Sequence, residues 1–201
     1  MQVHFQEVLR KPLEVFSQAP VVLIPALVAG IVNLAIGFVT LRSLGAFVVS
    51  VFGAFVTFFC LAWGTLLLAK YLQGERPNLV ESWQVVSERT PNIVVAAVIV
   101  AVLVNLGALL FVVPGILLEV ILIMSIPHAA RENVGFDKAL LYALRFAFEG
   151  THFLTLLLFV VIAFGLAFIP YVGEVLSAIF LVTWVSHFYL TRSQEFVDRP
   201  S

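Results

Sequence analysis

Charged side chains are scarce in this chain of 201 residues: Asp, Glu, Lys and Arg together make up 11%, whereas 62% of the residues are hydrophobic. The mean hydropathy is +1.09, outside the range of soluble globular domains. A water-facing fold of this size has too little polar surface to cover so many apolar side chains. Lipid is therefore the predicted solvent for most of the chain. The net charge of −1, with scattered basic residues, argues against a nucleic-acid partner.

Cysteine is nearly absent, because Cys60 is the only one. A single cysteine excludes an intrachain disulfide and a cysteine-based metal site. Its position in the apolar stretch FVTFFCLAWG predicts that the thiol packs as a small hydrophobic group.

Sequence motifs of the common enzyme classes are also missing. The chain has no Gly-x-Ser-x-Gly, no His-Glu-x-x-His, no phosphate-binding glycine loop and no dinucleotide fingerprint. The longer polar connections have about 20 residues each, too few for a soluble catalytic domain. We therefore predict a protein without enzymatic activity, cofactor or bound metal.

Long apolar runs fill most of the sequence. A helix needs about 20 mostly apolar residues to cross the hydrocarbon core. Segments of this kind lie at about 19–41, 45–70, 92–112, 115–130, 152–169 and 174–191, and the fourth is short. The first segment is too long for the hydrophobic region of a signal peptide, so we expect it to be retained. The predicted fold is an all-α, polytopic integral membrane protein with six transmembrane helices.

Basic residues predict the orientation of these spans. Of the 11 Lys and Arg residues, only Arg42 falls on one side of the six-span arrangement. Because Lys and Arg are retained on the cytoplasmic side, both termini are predicted to be cytoplasmic, in a multi-pass protein of the cell membrane. The three outward turns are then LRSLG, VVPG and IPYVG.

Each pair of spans is preceded by a segment with helical amphipathic spacing. These segments lead into a span through Ala19-Pro20, Thr90-Pro91 and residues 150–152. The chain therefore reads as one membrane domain, 1–201, built of three hairpins, each preceded by a cytoplasmic interfacial helix. The repeat units are about 1–73, 74–134 and 135–192, followed by a polar tail, 193–201.

The third amphipathic segment, GFDKALLYALRFAFEG, has the clearest polar face. On that face we predict Asp137, Lys138, Tyr142, Arg145 and Glu149. Two apolar residues, Leu141 and Phe148, interrupt it.

The stretch VPGILLEVILIMSIPHAARENVGFDKALLYALRFAFEGTHF carries a recurring pattern. Its members are Pro114-Gly115, Pro127, Glu132 with Gly135, Ala139, and Gly150 to Phe153. Over residues 74–170 the chain resembles a diffuse family of uncharacterised prokaryotic six-span membrane proteins. That family includes the membrane domain of some glycerophosphodiester phosphodiesterases. The resemblance implies a fold, in a prokaryotic inner membrane, more than an activity.

Two features depart from that family pattern. Relatives often have an arginine in the span after Pro-Gly, where this chain has Glu119, and these 201 residues do not include a phosphodiesterase domain.

Glu119 and Glu174 are the candidate functional carboxylates. Ionisable groups within spans are costly, and by default they suggest a function. Both, however, follow a predicted outer turn closely, so they can also reach the headgroup region or cap a helix. If the two glutamates face each other across the repeat, a role in binding protons or cations is favoured.

His128 and His187 are the other candidates, at the inner ends of the fourth and sixth spans. Each lies about one turn before an arginine. A shared metal site needs further ligands, for which Glu132 is the nearest, and interfacial packing is the alternative.

Polar residues within spans are expected to form interhelical hydrogen bonds. They are Asn33, Thr57, Thr65, Asn105, Thr183 and Ser186. Gly30 with Gly37, and Gly53 with Gly64, indicate close helix contacts.

These features favour a non-enzymatic accessory or scaffold protein, or a component of lipid and envelope homeostasis. Its partners are then the lipid bilayer, individual lipids or other membrane proteins. The first alternative is a small transporter or channel that uses the outer glutamates. The second is an intramembrane lipid-modifying enzyme, which the separation of the glutamates from the histidines disfavours.

Overall fold

The computed structural model describes the backbone of residues 5–37 and 44–197, and the side chains of residues 10–37 and 45–193. These parts of the chain are helical and contain no strand. The helices are α1 (Phe5–Gln18), α2 (Ile24–Gly37), α3 (Leu44–Leu72), α4 (Leu79–Leu110), α5 (Val112–Leu122), α6 (Ser125–Glu132), α7 (Phe136–Ala147), α8 (His152–Ala167) and α9 (Gly173–Val197). A 3-10 helix, Pro20–Leu23, leads into α2.

Five helical segments of the described chain are long and apolar enough to cross a membrane. They are Pro20–Gly37, Gly45–Leu72, Leu79–Leu110, Val112–Glu132 and Gly173–Ser193. The pair α7 and α8, bent by 100° at the break between them, supplies a sixth if it counts as one span. The predicted all-helical, multi-pass class is therefore confirmed. The predicted first outer turn, LRSLG with Arg42, lies outside the described residues except for its last two positions.

The predicted break at Thr90-Pro91 is wrong, because α4 runs through it without interruption. Pro91 cannot donate to the carbonyl four residues earlier, but it lies on the exposed side of the helix, where that carbonyl can be solvated. The Thr90 hydroxyl donates to Val86 O at 2.9 Å. On the opposite side, Arg89 Nη1 donates to Ala130 O at 2.7 Å, which holds this part of α4 against α6.

The link between α4 and α5 is shorter than predicted. It consists of the extended residue Phe111 alone, whereas the predicted turn VVPG forms the start of α5. Pro114 is tolerated there because the first turn of a helix has unpaired amides. A Cβ on Gly115 would lie 2.8 Å from Ala108 Cβ, so this glycine permits α5 to fold back tightly on α4.

The fourth predicted span is interrupted at Ile123 and Met124, between α5 and α6. Pro127 explains the interruption, because its ring nitrogen cannot donate to Ile123 O. The Ser125 hydroxyl instead donates to Leu122 O at 2.6 Å, next to the gap.

Helix α9 is the centre of the bundle. It packs against α2, α3 and α8, and all residues from 181 to 190 are buried. Gly30 of α2 permits one of these contacts, since a Cβ at this position would lie 2.6 Å from Val175 Cα. The close packing of α9 places its first turn beside the ends of α2 and α3.

Candidate functional site: an acidic cavity among the membrane helices

A cavity of about 490 Å³ lies among α2, α3, α4, α5, α8 and α9. Every apolar segment of the bundle contributes to its wall. The polar residues that line it are Asn33, Ser50, Thr57, Asn105, Glu119, Glu174 and Ser177. The structure therefore brings the two predicted glutamates to one space.

Glu119 lies deeper than the sequence predicts. Because the link between α4 and α5 is Phe111, the glutamate is seven residues beyond Val112, or about 10 Å along the helix. Its side chain is half-buried. Within the described parts of the chain, its carboxylate makes no hydrogen bond or ion pair.

Glu174 enters the cavity from the first turn of α9. Gly173 precedes it, and a Cβ there would lie 2.5 Å from Leu166 O, so only glycine permits this close approach to the end of α8. Position in the first turn also sets the carboxylate near the positive end of the helix dipole. Glu174 can therefore stabilise the start of α9 and also line the cavity.

An amide–hydroxyl chain joins α2 and α3 on one wall. Asn33 Nδ2 donates to Thr57 Oγ1 at 2.7 Å, and the Thr57 hydroxyl donates to Gly53 O at 3.1 Å. Gly53 makes room for this pair, because a Cβ there would lie 2.5 Å from Asn33 Oδ1.

A second polar pair joins α3 and α4. The Ser50 hydroxyl donates to Asn105 Oδ1 at 2.6 Å, and Asn105 Nδ2 donates to Ala101 O at 2.8 Å. Asn33, Thr57 and Asn105 thus form the predicted interhelical bonds, and they also line the cavity.

Sequence reasoning missed Ser50 and Ser177 as cavity residues. The spacing of Ser50, Gly53 and Thr57, three and four residues apart, is a signal that could have found one polar face of α3.

The cavity lining ends at Phe58 and Leu181, whose exposed fractions are 2% and 6%. Toward the other end of α3 and α9 the next layer is packed core, including Leu61 and Val185 at 0%. Below that layer, the hydroxyls of Thr65 and Ser186 lie 2.9 Å apart and bond α3 to α9. The cavity is thus set in one half of the bundle.

Charge in the cavity is of one sign. Among the described residues that line it, two are acidic and none is basic. A group of three or more His, Cys, Asp or Glu residues that could hold a metal ion is not found in the described part of the chain. Two carboxylates with neighbouring amides and hydroxyls can neutralise and orient a cation that carries its own hydrogen-bond donors.

Neither of the two candidate histidines lines the cavity. His128 stacks on Tyr142, with ring centroids 3.8 Å apart, and its Nδ1 lies 3.2 Å from Tyr189 Oη. His187 is buried in α9, one turn beyond Trp184, whose ring packs against Phe16 of α1. The histidines therefore take part in packing between helices.

Tyr142 is not on the exposed face of α7, where it was predicted. Its exposed fraction is 9%, whereas that of Leu141 is 57%. The stack on His128 and an edge contact with Tyr189 explain the difference, because they turn Tyr142 toward α6 and α9.

Comparison of the chain with protein-family models, with curated proteins and with solved structures gave no match. The resemblance to six-span prokaryotic membrane proteins therefore stays a prediction.

Proposed function

We propose that this protein is a non-enzymatic membrane transporter for small organic cations. The observation that carries the proposal is that Glu119 and Glu174 line one cavity without a described basic residue. A charge buried among apolar helices is costly unless it is neutralised. A bound monovalent cation offsets one of the two negative charges and gains two Coulombic partners in a low dielectric.

The size of the cavity favours an organic cation over a metal ion. Small-molecule sites have volumes of roughly 300–1,000 Å³, and this cavity has about 490 Å³. A single metal ion would leave most of that space empty. An organic cation with N–H groups, such as an alkylguanidinium, would occupy more of it, and its donors would find acceptors in the carboxylates and in the wall that contains Ser50 and Asn105.

A transporter fits the shape of the cavity better than a channel. The lining stops at Phe58 and Leu181, and packed core follows. A site that is open toward one side and closed by packed core toward the other is compatible with a transporter that exposes its site to one side at a time. The accessory or homeostasis role predicted from the sequence assumed two shallow glutamates without a shared site, and it is now the second choice.

The proposed topology has six spans in three hairpins, with both termini cytoplasmic. In it α8 crosses the membrane alone, while α1, α7 and the beginning of α4 lie at the inner surface. The distribution of basic residues supports this orientation. The 100° bend between α7 and α8 supports the interfacial position of α7. The cavity would then open toward the outside of the cell membrane.

Uptake into proteoliposomes tests the transport function. The probe is radiolabelled butylguanidinium, an organic cation with N–H donors that stays charged at neutral pH, with the full chain reconstituted and empty liposomes as the blank. We expect time-dependent uptake by the wild type and loss of most of it in Glu119→Gln and in Glu174→Gln. Glu75→Gln is the matched control, because Glu75 is exposed in the link between α3 and α4 and lies outside the cavity. Equal uptake by wild-type and empty liposomes would refute the transporter.

A further inference from the structure

A second surface of the molecule, the exposed face of α7, is suited to a ligand of opposite charge. It consists of Lys138, Leu141 and Arg145 of α7 and of Phe148 directly after it, which follow one another at intervals of three or four residues. We propose that this α7 face binds the phosphate headgroup of an anionic phospholipid.

The proposed topology places α7 at the membrane surface. The break at residues 148–151 turns the chain by 100°, and Gly150 in this break has φ +53°. If α8 crosses the bilayer, as in the proposed topology, α7 runs nearly parallel to the membrane plane. Its other face is held by the bundle, since Ala139, Ala143 and Ala147 are buried.

The apolar members of the face are exposed to an unusual degree for a polar helix surface. Leu141 and Phe148 have exposed fractions of 57% and 65%. Phe148 is oriented by a parallel stack on Phe153 of α8, with ring centroids 5.8 Å apart. Side chains of this kind are favourable where a helix lies in the headgroup region, because they reach the acyl boundary.

The basic members of the face are unpaired among the described residues. Neither Lys138 nor Arg145 makes a hydrogen bond or ion pair there. Two basic residues on neighbouring helices are engaged instead: Lys70 pairs with Glu81 at 2.6 Å, and Arg89 donates to carbonyls of α6. The free charges on α7 therefore favour an external anion.

A pocket on α7 fixes the position of that anion. It has a volume of about 230 Å³ and is lined by Lys138, Leu141, Tyr142 and Arg145. The nearby Asp137 does not line the pocket, and its Oδ1 lies 2.8 Å from the position that a Cβ on Gly135 would take. A lipid phosphate between the two basic residues, with its acyl chains beside Leu141 and Phe148, satisfies the charges and the apolar surface together.

Native mass spectrometry of the full chain tests this site. The purified protein in detergent is titrated with phosphatidylglycerol and, separately, with phosphatidylcholine. We expect tighter binding of phosphatidylglycerol, weakened about fivefold by Lys138→Gln and again by Arg145→Gln, the factor expected for one juxtamembrane cation. Phe148→Ser should weaken both lipids, because it removes the apolar contact.

The control is the double variant Lys11→Gln/Arg76→Gln, which removes two exposed basic residues outside α7. It should bind phosphatidylglycerol as the wild type does. An equal loss in this control would show that total charge, and not the α7 face, attracts the lipid, and would overturn the proposal. So would equal affinity for the two lipids, or competition by free glycerol phosphate at lipid-like concentrations. Thermal unfolding of each variant near the wild-type temperature excludes misfolding as the cause of a loss.

Discussion

Glu119 of α5 and Glu174 of α9 line the same cavity, although α6, α7 and α8 lie between them in the sequence. Their meeting depends on two glycines that admit close backbone contacts. Gly115 brings the start of α5 against α4, and Gly173 brings the start of α9 against the end of α8. The acidic cavity thus depends on the close packing of consecutive helices where they are linked.

The close packing of α2 on α9 should leave no room for a side chain at Gly30. A Cβ at Gly30 would lie 2.6 Å from Val175 Cα, a backbone atom that cannot rotate away. We expect Gly30→Ala to lower the free energy of unfolding by roughly 1–3 kcal/mol, the usual cost of overpacking. Cys60 offers the measurement, because this buried single cysteine reacts with a thiol-reactive fluorophore only when the protein unfolds on heating.

The matched control is Gly37→Ala on the same helix, where no described atom beyond its neighbours in the helix lies within 4 Å of the added Cβ. Its melting temperature should stay at the wild-type value. Equal melting temperatures for the two alanine variants would contradict the contact between α2 and α9.

Arg89 should hold α4 to the end of α6. Its Nη1 donates to Ala130 O at 2.7 Å and also to Arg131 O. Arg89→Met removes these charged hydrogen bonds while keeping much of the apolar stem, so we expect a loss of about 1.5–3 kcal/mol in the same Cys60 assay. Arg76→Met, at an exposed position in the link before α4, should have no effect. If Arg89→Met and Arg76→Met have the same melting temperature, the contacts of Arg89 with the carbonyls do not stabilise the fold.

Tyr189 should anchor the aromatic contacts around His128. Its hydroxyl lies 3.2 Å from His128 Nδ1, and Tyr189→Phe removes that partner while keeping the ring. We expect a loss of roughly 0.5–1.5 kcal/mol, the net value of one hydrogen bond. Tyr171→Phe is the control, since Tyr171 is 83% exposed in the link before α9. A wild-type melting temperature for Tyr189→Phe would show that the hydrogen bond is not formed in solution.

The sequence predicts the helices better than it predicts the contacts between them. Apolar runs of sufficient length are helical in lipid, because a helix pairs the backbone N–H and C=O groups within the segment, where water is absent. The continuity of α4 through Pro91 could not be read from the sequence, since it depends on contacts of Arg89 with α6. The hydrogen bond between Ser50 and Asn105 likewise depends on how α3 is rotated about its axis relative to α4. A run of apolar residues in the sequence does not predict that rotation.

The glutamates illustrate the same limit. The sequence identifies Glu119 and Glu174 by their chemistry and states the condition under which they matter. Only the position of the link at Phe111 and the packing of α9 show that both line one cavity.

Cysteine labelling tests the proposed orientation. In a Cys60→Ala background, single cysteines replace Leu110 and Tyr171 at one end of the bundle, and Gln73 and Asp137 at the other. All four positions are exposed. We expect a membrane-impermeant maleimide to label intact cells at Leu110→Cys and Tyr171→Cys, and to label the other two only after lysis. The reverse pattern would place the cavity on the cytoplasmic side.

Calorimetric titration with butylguanidinium tests the central claim, that the acidic cavity binds organic cations. The full chain in lipid nanodiscs should show saturable binding at one site. Glu119→Gln and Glu174→Gln should each weaken it at least about tenfold, as expected from the loss of one charge-assisted contact, while Glu75→Gln binds like the wild type. Saturable binding that is equally strong in all four proteins, or no binding by the wild type, would contradict the account.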